Sequence, residues 1–387
     1  MLLTSSGRQV FHRLLILPLA WFALAGCGGG SGGGTAPPPP PTASLVPITV
    51  SGIATGQGNF DPAPTVDAGG MVWMSYSHVS VAPSGINLIE TRLATTADGG
   101  LNWQDSGILV NAATSLALPA PNDTNAIANE VSRLVYNPFA VAAGADPWIM
   151  LWHRYLSVFD GTATLRLFQH GWIGMKSGAT ATTLGNERKL FTGNTYDPVN
   201  NSDPLGAPEY PLDVLEPLAM RNCAAFSEPG ILPKSNGVYV SMLCAKATPP
   251  GKIVLLRCDH DMGNCAYLGD LIDGSEASTV RPNYAGFSAS ELVAVNGQDY
   301  LIVTPTLLAG GVYRGCVAYK ITGLDNAEIE RNPGSDAPVA SLVIDERGDF
   351  NGACGYVAEL AGSGIMMSEA FTTQSPVFRL FTTGEQL

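Results

Sequence analysis

One phrase recurs along this chain, and it restricts the fold more than any other feature. Asp61-Pro62 is followed eight residues on by Gly70 and then by the strand-like run MVWMSYS. Glu228-Pro229 is followed at the same spacing by Gly237 and VYVSMLC, a gapless match at a constant offset of 167. Asn137-Pro138, leading to WIMLWHR, fits with one extra residue. Weaker copies run from Ser288 through Gly297 to DYLIVTP and from Gly355 through Gly364 to IMMSEAF. Each copy reads as a strand, a turn and a second strand. Short apolar, β-branched and aromatic runs separated by Gly, Pro, Asn and Asp fill the intervals, and long helical periodicity is hard to find. Regular strand units of this kind predict an all-β propeller, because stacked units bury a continuous core that no single unit could bury alone.

Five recurrences predict five four-stranded blades. A count of six stays open, since 104–130 and 331–352 could hide strands. SLVPITVSG, at 44–52, precedes the first unit, and the last unit runs out at VFRLFTTGEQL. The N-terminal strand is therefore expected to complete the last blade and close the ring, which removes exposed sheet edges. The propeller domain spans 45–387.

Residues 1–26 read as an export signal. Arg8, His12 and Arg13 precede an apolar run, Leu14 to Ala25, of 12 residues. That is too short to span a bilayer and suits a signal-peptide core. The run ends in Leu24-Ala25-Gly26-Cys27, which resembles the bacterial lipobox. The resemblance implies that Cys27 is lipidated and begins the mature chain, and that Gly28, in place of Asp, directs the protein to the outer membrane. The stretch 27–44 is then a Gly/Pro-rich tether, flexible in its glycines and stiff in its five prolines. The formal charge of −13 repels nucleic acid and anionic lipid, and no basic stripe offsets it. Contact with the membrane is expected through the lipid alone, and a monomer is expected.

Residues 94–104, ATTADGGLNWQ, carry the most specific motif. Thr96, Asp98, Gly100 and Trp103 stand in the register S/T-x-D-x-G-x-x-W. This resembles the Asp-box of the sialidase-like, BNR-repeat propellers. The implied role is structural: Asp98 accepts backbone N–H bonds in the turn, Gly99 and Gly100 allow positive φ, and Trp103 plugs the hairpin. IETRLATT and NWQDSGILV would be the flanking third and fourth strands of blade one. Cys258 and Cys265 have the spacing of Thr96 and Trp103, around the turn-rich DHDMGN. By that parallel a disulfide staples the blade-three hairpin. Cys223–Cys244 would then join adjacent strands of blade three, and Cys316–Cys354 would link blades four and five. With Cys27 set aside six cysteines remain, and an even count in an exported chain fits three disulfides. Zinc would need CxxC or CxxH spacings, which are absent. Asp259-His260-Asp261 is half a calcium loop without its later acidic ligand. No metal and no cofactor is expected.

The phrase starts are the positions nearest a propeller axis. Asp61 and Glu228 there supply two carboxylates, the minimum for glycoside hydrolysis. The arrangement resembles the five-bladed arabinanase and xylosidase type of glycosidase. The resemblance implies Asp61 as general base and Glu228 as general acid. Asn137 stands where that family has an Asp that tunes the acid, and an amide cannot tune by charge. A sialidase would instead need an arginine triad, which Arg133, Arg221 and Arg281 could supply, and a Tyr/Glu nucleophile pair, for which Tyr356 and Glu359 are available. Its Arg-Ile-Pro motif is absent. The Pro-rich stretch 193–222 could form a lid or a surface excursion, and Tyr136, Trp148, Trp152 and Trp172 could stack on sugars or fill blade cores. G-x-S-x-G, H-E-x-x-H and P-loop motifs are absent. Two functions remain: a glycan-directed glycoside hydrolase at the cell envelope, or a non-catalytic propeller that holds glycan or protein there.

Overall fold

A computed structural model describes residues 45–54, 56–112, 125–159, 164–193, 208–211, 217–220, 222–307, 313–345, 351–360, 362–371 and 376–387. The signal segment, the whole 27–44 tether with Cys27, and Arg221 lie outside these residues. Among the described residues no helix is long and apolar enough to cross a membrane.

The chain is a β-propeller. Strands β1 (Val46–Pro47) and β2 (Thr49–Ser51) open it. Blade one is β3 (Gly58–Val66), β4 (Val72–Val81), β5 (Asn87–Thr96) and β6 (Asn102–Val110). Blade two is β7 (Asn125–Tyr136), β8 (Trp148–Phe159), β9 (Thr164–Thr180) and β11 (Arg188–Thr192). The short β10 (Thr183–Leu184) pairs with β9, and β12 (Tyr210–Pro211) pairs with β11. Blade three is β13 (Cys223–Lys234), β14 (Gly237–Lys246), β15 (Lys252–Cys258) and β16 (Cys265–Asp273). Blade four is β17 (Gly286–Val295), β18 (Gln298–Thr306), β19 (Cys316–Gly323) and β21 (Ala340–Ile344), with β20 (Glu328–Ile329) also on β19. Blade five is β22 (Asn351–Gly355), β23 (Met366–Ala370) and β24 (Phe378–Thr382).

The ring closes as the sequence predicts. Val46 and Pro47 pair antiparallel with Thr382 and Phe381, so β1 is the fourth strand of blade five. The same segment does more than expected, because β2 continues in parallel along the outer edge of blade one. The two segments that could have hidden a sixth blade hold parts of β6 and β7, and β21 with the start of β22; no further four-stranded set occurs among the described residues.

Burial follows from this stacking. The second strand of blade two, WIMLWHRYLSVF, is buried on both faces for ten consecutive residues. The outer β6, NWQDSGILV, mostly alternates between exposed and partly covered positions. A strand between two neighbours in a packed sheet loses both faces to the core; an edge strand keeps one in water. An apolar cluster lies at each of the five junctions between successive blades: Leu93 with Met150, Phe191 with Val240, Leu255 with Leu301, Ile302 with Met367, and Met366 with Met74. They run from blade one round to blade one again, so every blade face has a partner. Trp148, Trp152 and Trp172 belong to this buried interior, and Tyr136 packs against Trp148.

All three disulfides form as predicted. Cys258–Cys265 ties β15 to β16 across the hairpin, with Cα atoms 4.0 Å apart. Cys223–Cys244 joins β13 to β14, and Cys316–Cys354 links blade four to blade five. The turn from Thr96 to Trp103 is held as its residue types require. Thr96 Oγ1 donates to Asn102 O at 2.8 Å, Asp98 Oδ1 accepts from Asn102 N–H at 3.1 Å, and the buried Trp103 donates its Nε1–H to Gly100 O at 2.8 Å. Gly99 and Gly100 both adopt positive φ.

Candidate active site

The first strands of the five blades contact one another in a ring, β3 to β7 to β13 to β17 to β22 and back to β3. Each carries a register shift, and at each shift one residue takes a left-handed backbone: Asp61, Val131, Glu228, Ala289 and Ala353, with φ from 36° to 57°. Such bulges re-aim the side chains beside them. They also identify the equivalent positions of the five blades. Asp61 and Glu228 are equivalent, as the sequence predicts. Ser288 lies one residue before its bulge, and Gly355 lies two after.

The blade-two expectation fails. Asn137 lies beyond the far end of β7, where its Oδ1 accepts from Phe139 N–H at 3.0 Å and its side-chain amide meets His260 Nδ1 at 3.2 Å. The residue pair at the bulge is Glu130-Val131. An X-Pro dipeptide at a turn imitated the phrase, while the true equivalent has no proline. Glu130 was missed, although an acid inside the otherwise apolar strand NAIANEVSRLVY is itself a signal, because acids are almost never fully buried without a partner.

A cavity of about 390 Å³ opens at the end of the blades where the first strands of blades three and four begin. Glu130, His153 and Arg166 from blade two, Ser227 and Glu228 from blade three, and Ser288 from blade four line it, together with Tyr313. Lys246, Pro249-Pro250 and Phe287 complete its walls. Its carboxyl groups are tightly held. Glu228 Oε2 accepts from Ser288 Oγ and from Ala289 N–H, the latter at 2.7 Å, and its Oε1 accepts from Tyr313 Oη at 3.3 Å. Burial raises the Glu130 carboxyl above its ordinary range; the Arg166 charge and a hydrogen bond from Tyr155 oppose this, and the Glu228 charge adds to it. Burial, with the Glu228 charge, also raises the Tyr313 hydroxyl. His153 sits opposite Glu130 on β8, and burial pushes its ring down to about 3, helped by Arg166. It is a neutral imidazole.

Asp61 is close to this group without lining the cavity. Its Oδ2 accepts from Ser77 Oγ at 2.8 Å and from Val131 N–H at 3.1 Å, and it is 2 % exposed. Burial raises its carboxyl well above the usual range, and the charge of Glu130 adds to that.

The other expected binding residues do not converge here. Arg133 is buried between the first strands. Its guanidinium contacts the Glu291 carboxylate and donates to Ser132 O at 3.1 Å and Cys354 O at 3.3 Å, so it ties blades two, four and five together. Arg281 pairs with Asp345 at 3.4 Å, after the short helical turn Gly274–Thr279. Tyr356 is buried in the cluster between blades four and five and donates to Gln386 Oε1 at 3.0 Å. Arg133 is engaged by Glu291 and Arg281 by Asp345, and neither lines the cavity; Arg221 lies outside the described residues. An arginine that no motif singles out, Arg166, lines the cavity. Of the 193–222 stretch, Tyr210 is described; it packs on Phe191 at the edge of blade two and donates to Gly263 O, away from the cavity. No group of three or more metal-binding side chains occurs among the described residues.

No protein-family model matches the chain, and no curated protein matches it in sequence. Its fold is similar to an endo-arabinase from Bacteroides thetaiotaomicron VPI-5482, at 12% identity over 88% of this chain and 97% of that one, with a TM-score of 0.46. A GH43 endo-arabinanase from Bacillus licheniformis shares 14% identity over 86% of this chain and 94% of its own, with a TM-score of 0.45. A family 117 glycoside hydrolase produced by Zobellia galactanivorans shares 11% over 88% and 90%, with a TM-score of 0.47. These are distant likenesses of fold; what the chain can do is read from its own cavity.

Proposed function

We propose that this chain is a glycan-directed glycoside hydrolase of the cell envelope that works at the cavity lined by Glu130 and Glu228. The observation that carries the reading is that these two carboxyl groups share one cavity in different environments. Glycoside hydrolysis needs one carboxyl protonated, to give its proton to the leaving oxygen, and one ionised, to activate water or attack the sugar. Burial and the neighbouring Glu228 charge favour the protonated form of Glu130. Glu228 has one oxygen fixed by Ser288 and Ala289, and the other turned to Tyr313 in the cavity. Glu130 would be the acid and Glu228 the base or nucleophile. This departs from the roles implied by the arabinanase resemblance, because Asp61 does not reach the cavity wall. The lipid anchor at Cys27 and the outer-membrane location belong to the same proposal and rest on the Leu24-Ala25-Gly26-Cys27 motif.

One observation favours a second reading, a propeller that binds glycan without cutting it: Asp61 and one oxygen of Glu228 are already spent on backbone N–H groups of the next blade. Hydrolysis of a panel of aryl glycosides, including a sialoside, separates the two. The enzyme reading expects turnover of at least one substrate, reduced about 10²- to 10⁴-fold or more in Glu130→Gln and in Glu228→Gln. A wild-type protein inert on the whole panel, yet retaining glycan affinity, would establish the binder.

A further inference from the structure

We propose that Asp61 is a positioning residue: its carboxyl clamps the left-handed bulge at Val131, and the bulge aims Glu130 into the cavity. The inference rests on the cavity being the reactive site, and it assigns to Asp61 a role that is neither the acid nor the base.

The argument begins with a backbone requirement. A β-branched residue with positive φ is strained, so Val131 at φ 49° must be held by its surroundings. Its N–H is buried at the same time and needs an acceptor. Asp61 Oδ2 on the preceding blade supplies one at 3.1 Å, with Ser77 Oγ at 3.2 Å sharing the proton. The device repeats around the ring. Ala289 N–H, at the bulge of blade four, donates to Glu228 of blade three at 2.7 Å. Ala353 N–H, at the bulge of blade five, donates to Thr304 Oγ1 of blade four at 2.9 Å. Thr304 stands on the second strand of its blade, where blade one has Ser77, and it shows that a bulge N–H can be held by an oxygen without charge.

The two carboxylates can therefore be told apart. Glu228 has a second oxygen in the cavity, beyond the needs of its clamp. Asp61 lines no part of the cavity and spends Oδ2 on Ser77 and Val131. Its effect on the site passes through the next residue back along β7, which is Glu130. In a strand, successive side chains point to opposite faces, so a bulge that slips by one residue turns Glu130 away from the cavity.

The test compares Asp61→Asn, which keeps an acceptor oxygen, with Asp61→Ala, which removes it, in the full chain. Turnover is one readout. The second is the titration of Glu130 by carboxyl ¹³C NMR, with its resonance assigned through Glu130→Gln. A clamp predicts that Asn keeps kcat within about tenfold while Ala loses about a hundredfold, the scale of a misplaced catalytic group. It also predicts that Glu130 titrates as in wild type in the Asn variant and moves toward its ordinary value in the Ala variant. Val131→Gly relieves the left-handed strain, so the double variant Asp61→Ala, Val131→Gly should recover folding and much of the Ala loss. Equal loss of turnover in Asn and Ala, with the Glu130 titration unmoved in both, would make Asp61 a reacting group and overturn the proposal. If wild type cuts no glycoside, the cavity reading fails by itself. The clamp then stands or falls on whether Asp61→Ala moves the Glu130 titration.

Discussion

Arg133→Met is the sharpest probe of how the ring is held at its centre. Arg133 and Glu291 form a buried ion pair, with side chains 1 % and 7 % exposed, and two backbone carbonyls complete the guanidinium's bonding. Removing the arginine leaves Glu291 as a buried charge without its partner, a change that costs about 3–5 kcal/mol. The carboxyl can escape by taking a proton. Burial already pushes Glu291 up to about 7 against the pull of Arg133, and without the arginine its value rises further. Each further unit is worth about 1.4 kcal/mol at a pH above it. A carboxyl whose folded value is raised binds its proton more tightly when folded, so stability is lost as pH rises through that value. At about pH 8, one unit above that value, the penalty is expected to exceed the one at about pH 5 by up to about 1.4 kcal/mol. At about pH 5 the neutral carboxyl should leave roughly 1–3 kcal/mol, from lost hydrogen bonds alone. Urea unfolding of both proteins at the two pH values measures this, with Glu291→Gln added to Arg133→Met expected to recover most of the loss at the higher pH. An equal penalty at both pH values, or one below about 1 kcal/mol at pH 8, would refute the assignment of Arg133 as the counter-charge of a buried carboxylate.

Three further outcomes follow from the same geometry. Asp61 has a folded value well above its ordinary 3.8, so its stabilising contribution is complete below that value and lost as pH rises; Asp61→Asn should gain in melting temperature relative to wild type between about pH 5 and 8, and a pH-independent difference would contradict this. His153, held down to about 3, should show no imidazole titration by NMR between about pH 5 and 8, and its contribution to stability should fade as pH drops below its unfolded value of 6.5; a midpoint near 6.5 in the folded protein would show that the ring is not buried as described. Opening Cys316–Cys354 should cost more than opening Cys258–Cys265, about 4 against about 2 kcal/mol, because it closes 38 residues rather than 7; denaturation of the two Cys→Ser pairs gives the order, and the reverse order would contradict it.

The fold was legible because its signals are local. A strand, a turn with Gly70 or Gly237, and a second strand repeat in composition as well as in shape. The spacing of Cys258 and Cys265 marked a hairpin of the same length as the Thr96–Trp103 turn. Ring closure followed from a leftover strand and an incomplete last blade. The site was legible only in part, for a physical reason. What makes Asp61, Val131, Glu228, Ala289 and Ala353 equivalent is a left-handed backbone at a bulge, and no one side-chain chemistry is common to all five. Proline matched the phrase to Asn137 and hid Glu130. Residue type does not separate a ligand-gripping arginine from a structural one, and Arg133 and Arg281 are engaged by Glu291 and Asp345. Arg166 lies well along the chain from any phrase start and reaches the cavity only because blade two packs beside blade three.

The central claim, that the Glu130–Glu228 cavity cuts glycans, is tested most directly by measuring turnover and binding on the same Glu228→Gln protein. The substitution keeps the size of the side chain and the oxygen that accepts from Ala289. With the best aryl glycoside of the panel, turnover should fall at least about a hundredfold while the affinity for the uncut glycan stays within about threefold. Undiminished turnover in Glu228→Gln, or none in the wild type, would contradict the account.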